Sequence, residues 1–325
     1  VCSVRGGRYL TLACAAAAVA LVAGCATGGN GGGGKKSLTL IQGVKSDPFY
    51  ITMGCGAKSE AAKLGASLDV QGPDQFQVAP QTALVNSVAA TRPDGTLVAP
   101  VDSTALISPL RQLQQAGSKV VLVDTTVTDP KVGVSRISSD NQQGGRKAAD
   151  ALAALVGGKG KVLVVSVQAG TATTDAREAG FRQELATHPG LSLVDVRYDN
   201  DDPAQAASIT DAVLASTPDL VGVFATNLNS GEGVVTGLRN ARKLGQVKVV
   251  GFDASPKEVA DLQSGAVQAL IAQDPYTIGQ LGVRQAMDAI AGRPTTPMIK
   301  TDLVAITAQD LASGAKNRYL YRASC

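Results

Sequence analysis

From Ser37 onward the chain alternates two patterns: short runs rich in Val, Leu and Ile, and longer Ala-rich stretches whose apolar residues recur every three or four positions. The continuous runs read as strands buried on both faces, and the three-to-four period reads as amphipathic helix. Strands are predicted at 37–44, 68–71, 95–99, 119–123, 132–138, 161–167, 192–196, 220–224, 247–252 and 266–272. Helices are predicted at 49–64, 79–90, 104–116, 142–156, 173–187, 203–216, 230–244 and 275–291. Strand and helix alternating in this way define α/β architecture with doubly wound parallel sheets. Ten strands are too many for one compact sheet in a chain of this size, so two lobes with a cleft between them are expected.

In open α/β sheets ligands gather at the carboxyl ends of strands, and here those ends are polar. They are Lys45 to Tyr50, Asp124-Thr125-Thr126, Ser139-Asp140-Asn141, Thr226-Asn227, Phe252-Asp253 and Gln273-Asp274. None carries a catalytic set. The single histidine, His188, lies in a Thr-His-Pro-Gly turn, which removes a Ser-His-Asp triad and a His-rich metal site. Gly157 to Lys161 lacks the spacing of a P-loop and precedes a strand. Gly231, Gly233 and Gly237 miss the dinucleotide fingerprint by one residue and read as helix-packing glycines. No cofactor and no enzyme activity are expected.

The amino-terminal segment changes the picture of compartment. Arg5 and Arg8 precede an uncharged Ala/Leu/Val core that ends in Leu-Val-Ala-Gly-Cys at Cys25. That arrangement has the form of a lipoprotein signal with its lipobox, too short for a comfortable transmembrane span. Removal of 1–24, acylation of Cys25 and a Gly-rich tether over 25–36 are expected. The chain would then be extracytoplasmic and held to the membrane by lipid. Cys55 and Cys325 are the cysteines left once Cys2 and Cys14 leave with the signal. An oxidising compartment favours a disulfide between them; spacing alone leaves two separate thiols open. Removing Arg5 and Arg8 from 30 basic residues leaves 28 against 27 acidic ones, interspersed, so nucleic acid is not an implied partner. Trp is absent and only 5 Phe and 6 Tyr occur, which makes each aromatic ring in a loop a candidate contact.

Taken in order, the strand ends resemble the type I sugar-binding proteins of ABC importers, the ribose-binding-like family. The carriers are DPFY at Asp47–Tyr50, APVDS at Ala99–Ser103, ISSDN followed by GG at Ile137–Gly145, AREAGF at Ala176–Phe181, VFATN at Val223–Asn227, VVGFD at Val249–Asp253 and IAQDPYTIG at Ile271–Gly279. The resemblance implies a clamp with three crossings near Ser139, Gln273 and Thr301. One lobe would be 37–139 with 274–301, the other 140–273 with 302–308, and 309–325 a tail beyond the usual family end.

The resemblance also implies a ligand set. Asp253 and Asp124 would accept from sugar hydroxyls, Phe252 would cover a sugar face, and Arg177 would donate from the second lobe. Asn227 and Gln273 would use their amides, Phe49 and Tyr50 their rings, and Ser139 its hydroxyl. Asp253 has a simpler alternative, as cap of a helix over 255–260, and Asp47 before Pro48 reads as a helix N-cap. Asp140, Asn141, Gly144 and Gly145 read as a capped helix start close to the sheet. Thr125 stands where the family often has Arg, Ala99 where many members are polar, and Asn200 where they place an aromatic. These departures point away from ribose, toward a smaller or more linear polyol.

The function implied is a monomeric receptor that captures a monosaccharide or sugar alcohol by lobe closure and presents it to a membrane permease served by an ATPase. A sensor that delivers a signalling molecule, or its own closed form, to a membrane receptor is the alternative. A sugar-responsive repressor shares the fold, but a lipobox stands where its DNA-binding helices would be.

Overall fold

The computed structural model describes residues 34–325. The predicted signal segment and Cys25 lie outside the described residues. The β-branched runs form β1 (Ser37–Ile41), β2 (Ser67–Gln71), β3 (Gly95–Val98), β4 (Lys119–Val123), β5 (Ser135–Ser139), β6 (Gly160–Ser166), β7 (Leu191–Tyr198), β8 (Leu220–Ala225), β9 (Lys248–Phe252) and β10 (Ala269–Ala272). Two further strands follow, β11 (Met298–Thr301) and β12 (Val304–Ile306). The helices are α1 (Pro48–Lys63), α2 (Val78–Thr91), α3 (Ile107–Gln115), α4 (Asn141–Leu155), α5 (Ala172–Leu185), α6 (Pro203–Ser216), α7 (Leu228–Asn240), α8 (Pro256–Ser264), α9 (Pro275–Ile290) and α10 (Ala308–Ser313). Among the described residues no helix is long and apolar enough to cross a membrane.

The strands make two six-stranded sheets, in the orders β11-β5-β4-β3-β1-β2 and β12-β10-β9-β8-β6-β7. All pairings are parallel except that of β12 with β10. Central strands such as β4 and β6 bury consecutive residues, as a sheet covered on both faces requires. The chain leaves the first sheet after Ser139, returns after Gln273, and leaves again after Thr301. These three residues meet: Ser139 Oγ donates to Gln273 Oε1 at 2.8 Å and lies 3.4 Å from Thr301 Oγ1.

Both lobes bring two helices together backbone to backbone through glycines. A Cβ on Gly56 of α1 would stand 2.0 Å from Tyr276 O, and one on Gly279 of α9 would stand 2.0 Å from Met53 O. In the second lobe Gly145 of α4 faces Arg177 O at 1.9 Å and Gly180 of α5 faces Gln142 O at 2.0 Å on the same construction. Gly145 therefore admits α5, not the sheet as its sequence neighbourhood suggests. The close approach places the amino-terminal halves of α1 and α5, which carry Phe49, Tyr50 and Arg177, at the inner ends of the sheets.

Elsewhere the periodicity misplaced ends. Val132 is buried but lies in a turn, because Gly133 takes φ 83° and β5 starts only at Ser135. The helix expected from Thr104 begins at Ile107, since Asp102 Oδ1 captures the N–H groups of Thr104 and Ala105 in a local turn. Strands β11 and β12 have four and three residues, too short to show a period.

Candidate functional site

A cavity opens between the two sheets at their carboxyl ends. Its lips touch: Ser103 N donates to Gly170 O at 2.9 Å, and Gln168 Nε2 and Thr171 Oγ1 both approach Val101 O at 3.4 Å. The lobes are thus closed on each other.

The first lobe contributes Phe49, Tyr50 and Asp124. Asp47 caps α1 by accepting from Phe49 N at 2.7 Å, with Pro48 at the first helical position, and this cap aims the next two rings at the cleft. Phe49 and Tyr50 pack edge to face at 5.2 Å. Tyr50 OH donates to Asp124 Oδ2 at 2.9 Å, which orients that carboxylate. Asp124 ends β4 with φ 64°, a left-handed conformation that turns the side chain out of the sheet and into the cavity. Thr125 is buried behind it with Oγ1 unpartnered and off the cavity wall.

The second lobe contributes Arg177, Asn227 and Asp253. Arg177 donates from Nε to Asn141 Oδ1 at 2.8 Å and from Nη1 to Thr226 O at 2.7 Å. Its guanidinium lies 3.6 Å over the Phe252 ring. That leaves Nη2 without a protein acceptor among the described residues, at the cavity. Asn227 caps α7 through Oδ1, 3.0 Å from Ser230 N, and donates from Nδ2 to Asp201 Oδ1 at 2.6 Å. Asp253 ends β9 with φ 96°, and the cap of α8 is Ser255 in a capping box with Glu258, not Asp253.

Seven of the nine residues expected at the site therefore line one cavity: Phe49, Tyr50, Asp124, Arg177, Asn227, Asp253 and Gln273. Two stand behind its wall. Phe252 is fully buried between β9 and α4, where Gly144 leaves room for the ring, so it supports Arg177 and presents no face to the cavity. The Ser139 hydroxyl is taken up at the crossing with Gln273. Gln273 itself spends both ends of its amide inside the protein, accepting from Ser139 and donating from Nε2 to Asp253 Oδ1 at 2.7 Å.

Sequence reasoning missed Asp201, Phe76 and the threonines Thr171, Thr173 and Thr174, all of which line the cavity. Phe76 was findable as a loop ring in an aromatic-poor chain. Asp201 follows Asn200 in a double left-handed turn, φ 54° and 62°, that no hydrophobic period marks. The Cys55–Cys325 disulfide is formed, with Cα atoms 5.4 Å apart.

Four carboxylates, of Asp47, Asp124, Asp201 and Asp253, line the cavity together with the Arg177 guanidinium. Burial raises Asp124 to about 6 against the opposing pull of Arg177 and the Tyr50 hydrogen bond. Burial likewise lifts Asp201 to about 6 and pushes Asp47 well above the usual carboxylate range, aided by the nearby charges of Asp253 and Asp201. A surface of buried acceptors, one planar donor and aromatic rings fits a small neutral molecule with many hydroxyls.

Fold and site together define a two-lobed solute receptor. The family model described as periplasmic binding protein domain matches residues 38–294, and the chain belongs to that family, in its type I fold. It is 32% identical over 291 residues to the ribose import binding protein RbsB of Escherichia coli, covering 90% of this chain and 97% of that protein. An ABC transporter solute binding protein from Agrobacterium vitis, solved with α-D-tagatopyranose, superposes with a TM-score of 0.87 and 39% identity, over 89% of this chain and all of that one. A second from Agrobacterium vitis, with bound D-fucose, gives 0.84 and 26% identity, over 88% of this chain and 100% of that one.

Proposed function

We propose that this chain is the extracytoplasmic, lipid-anchored receptor of an ABC importer and captures a monosaccharide by closure of its lobes. The observation that carries the reading is the pair Asp124 and Asp253, one from the strand ends of each lobe, lining one cavity together with Arg177. Ligand hydroxyls would donate to the two carboxylates and accept from Arg177 Nη2 and Asn227, while Phe49 and Tyr50 cover C–H faces. A ligand that bridges both lobes stabilises the closed state by its differential affinity for it, and no bond of the ligand changes. The closing bodies are 37–139 with 274–301 and 140–273 with 302–308. A permease and its ATPase would read the closed form, and acylated Cys25 would hold the receptor near them. The names of its relatives support a sugar: besides ribose and tagatose they include a D-allose-binding periplasmic protein at 26% identity.

The test is a thermal-shift screen of the purified protein against D-tagatose, D-fucose, D-arabinose, D-ribose, D-allose and C4 to C6 polyols, with Asp253→Ala as control. Ligand at about 100 times Kd adds about 2.7 kcal/mol of stability, a readily measured shift. Stabilisation of the wild type alone supports the reading; no shift with any compound removes it.

A further inference from the structure

The tail after β12 does not simply trail from the second lobe. Lys316 Nζ donates to Ala305 O at 2.6 Å and Tyr321 N to Ala254 O at 2.9 Å, both in the second lobe. One residue later Arg322 N donates to Thr52 Oγ1 at 2.7 Å on α1, and Cys325 is bonded to Cys55 on the same helix. The polypeptide therefore crosses between the lobes a fourth time, at 321–322, and the far end of that crossing is covalently pinned.

Tyr321 stands at this crossing and is buried. Its hydroxyl accepts from Gln273 N at 3.2 Å and donates to Asp253 Oδ1 at 2.8 Å. Its ring meets the edge of Phe49 at 5.7 Å. Asp253, Gln273 and Phe49 are all wall residues of the cavity, while Tyr321 touches each from behind. Gln273 Nε2 also uses Asp253 Oδ1, so Oδ2 is the oxygen left without a protein partner among the described residues.

We propose that Tyr321 is a positioning residue of the binding site: the tail, pinned by Cys55–Cys325, holds its hydroxyl on Asp253 Oδ1 and so presents Oδ2 to the ligand in one orientation. This rests on the sugar-receptor reading and adds a residue outside the strand ends to it. A carboxylate locked by two donors on one oxygen accepts a hydroxyl along one direction, which discriminates between epimers. Without the bridge the last four residues are held by little more than the Arg322–Thr52 contacts, and a chain end so held frays.

The experiment is calorimetric titration of the full protein, Tyr321→Phe and Cys55→Ser/Cys325→Ser with D-tagatose, D-fucose, D-arabinose and D-ribose, alongside amide hydrogen exchange at Gln273. Tyr321→Phe keeps the ring against Phe49 and removes only the hydroxyl. It is expected to weaken the preferred sugar about tenfold, as for loss of a hydrogen bond to a charged group. It should also alter the ratio of Kd values between sugars, which a general loosening leaves alone, and speed exchange of the Gln273 amide, which loses its acceptor. The double serine variant should move the ratio in the same direction. Wild-type Kd values and ratios in Tyr321→Phe would overturn the proposal while leaving the receptor reading intact. Failure of the wild type to bind these four and every other compound of the thermal-shift screen would remove the receptor reading and this inference with it.

Discussion

Asp124 and Asp253 occupy matching positions in the two lobes, each one residue beyond a central strand and each at positive φ, 64° and 96°. Aspartate tolerates the left-handed region better than most residues, yet the conformation costs energy that the surrounding packing must offset. Both carboxylates are buried as well. The site therefore concentrates backbone strain and desolvated charge where ligand hydroxyls would be received.

Asp124→Asn should expose that cost. Asparagine keeps the left-handed turn and a Tyr50 partner but removes the buried charge. The ligand-free variant is expected to melt about 2–4 °C higher at pH 7.5 for each kcal/mol relieved, while sugar binding is lost. A melting temperature equal to or below the wild type would contradict the account.

Acidity provides a second check. The raised positions of Asp124 and Asp201, about 6 each, mean that the folded ligand-free protein holds these protons more tightly than the unfolded chain. Their stabilising contribution is full below about pH 4 and is lost as pH rises through about 6. Sugar affinity should run the opposite way, since a protonated Asp124 accepts poorly. Kd is expected to weaken about tenfold between pH 7 and pH 5. Titration at four pH values decides it, and a flat profile would exclude Asp124 as a ligand acceptor.

Arg177→Lys preserves charge and loses the planar fork that spans Asn141, Thr226 O and the Phe252 face. Affinity should fall by about a hundredfold, the equivalent of two charge-assisted hydrogen bonds. Binding within threefold of the wild type would show that the guanidinium is only structural.

Gly180→Ala tests the helix pair that carries Arg177. The new methyl would meet Gln142 O, and relief requires α5 to move away from α4. Overpacking of this kind costs about 1–3 kcal/mol, so denaturant midpoints should drop and sugar affinity with them.

Reduction of the Cys55–Cys325 bridge, which links residues 270 positions apart, should lower thermal stability by about 2–5 kcal/mol. Melting with and without dithiothreitol measures this, and intact mass under alkylating conditions reports whether the bond is present.

The alternation of β-branched runs with Ala-rich helical stretches was enough to read two doubly wound lobes, because parallel strands buried on both faces have few other ways to be covered. The polar residues closing those strands were equally legible, Asp124, Asn227 and Asp253 among them, whereas Arg177, inside α5, followed only from the resemblance. Short edge strands such as β11 and β12 were not, since three or four residues carry no period. Nor were the roles of Phe252 and Ser139, which sit in the right segments and face the wrong way. A strand pattern says which residues are near a carboxyl end; the direction of each side chain depends on what packs beside it, here Gly144 and Gln273.

The chain order and hydrophobic period thus settle the lobes and the strand ends, and short motifs at those ends carry the resemblance to the family; all of these are local in sequence. Which oxygen of Asp253 is left for a ligand depends on Gln273 and Tyr321, residues 20 and 68 positions away. Tyr321 comes to the site on a tail whose end is bonded from Cys325 to Cys55, 270 positions away. Contacts between residues so far apart leave no periodic trace in the sequence, because they are made only when both lobes, the hinge and the tail have packed together.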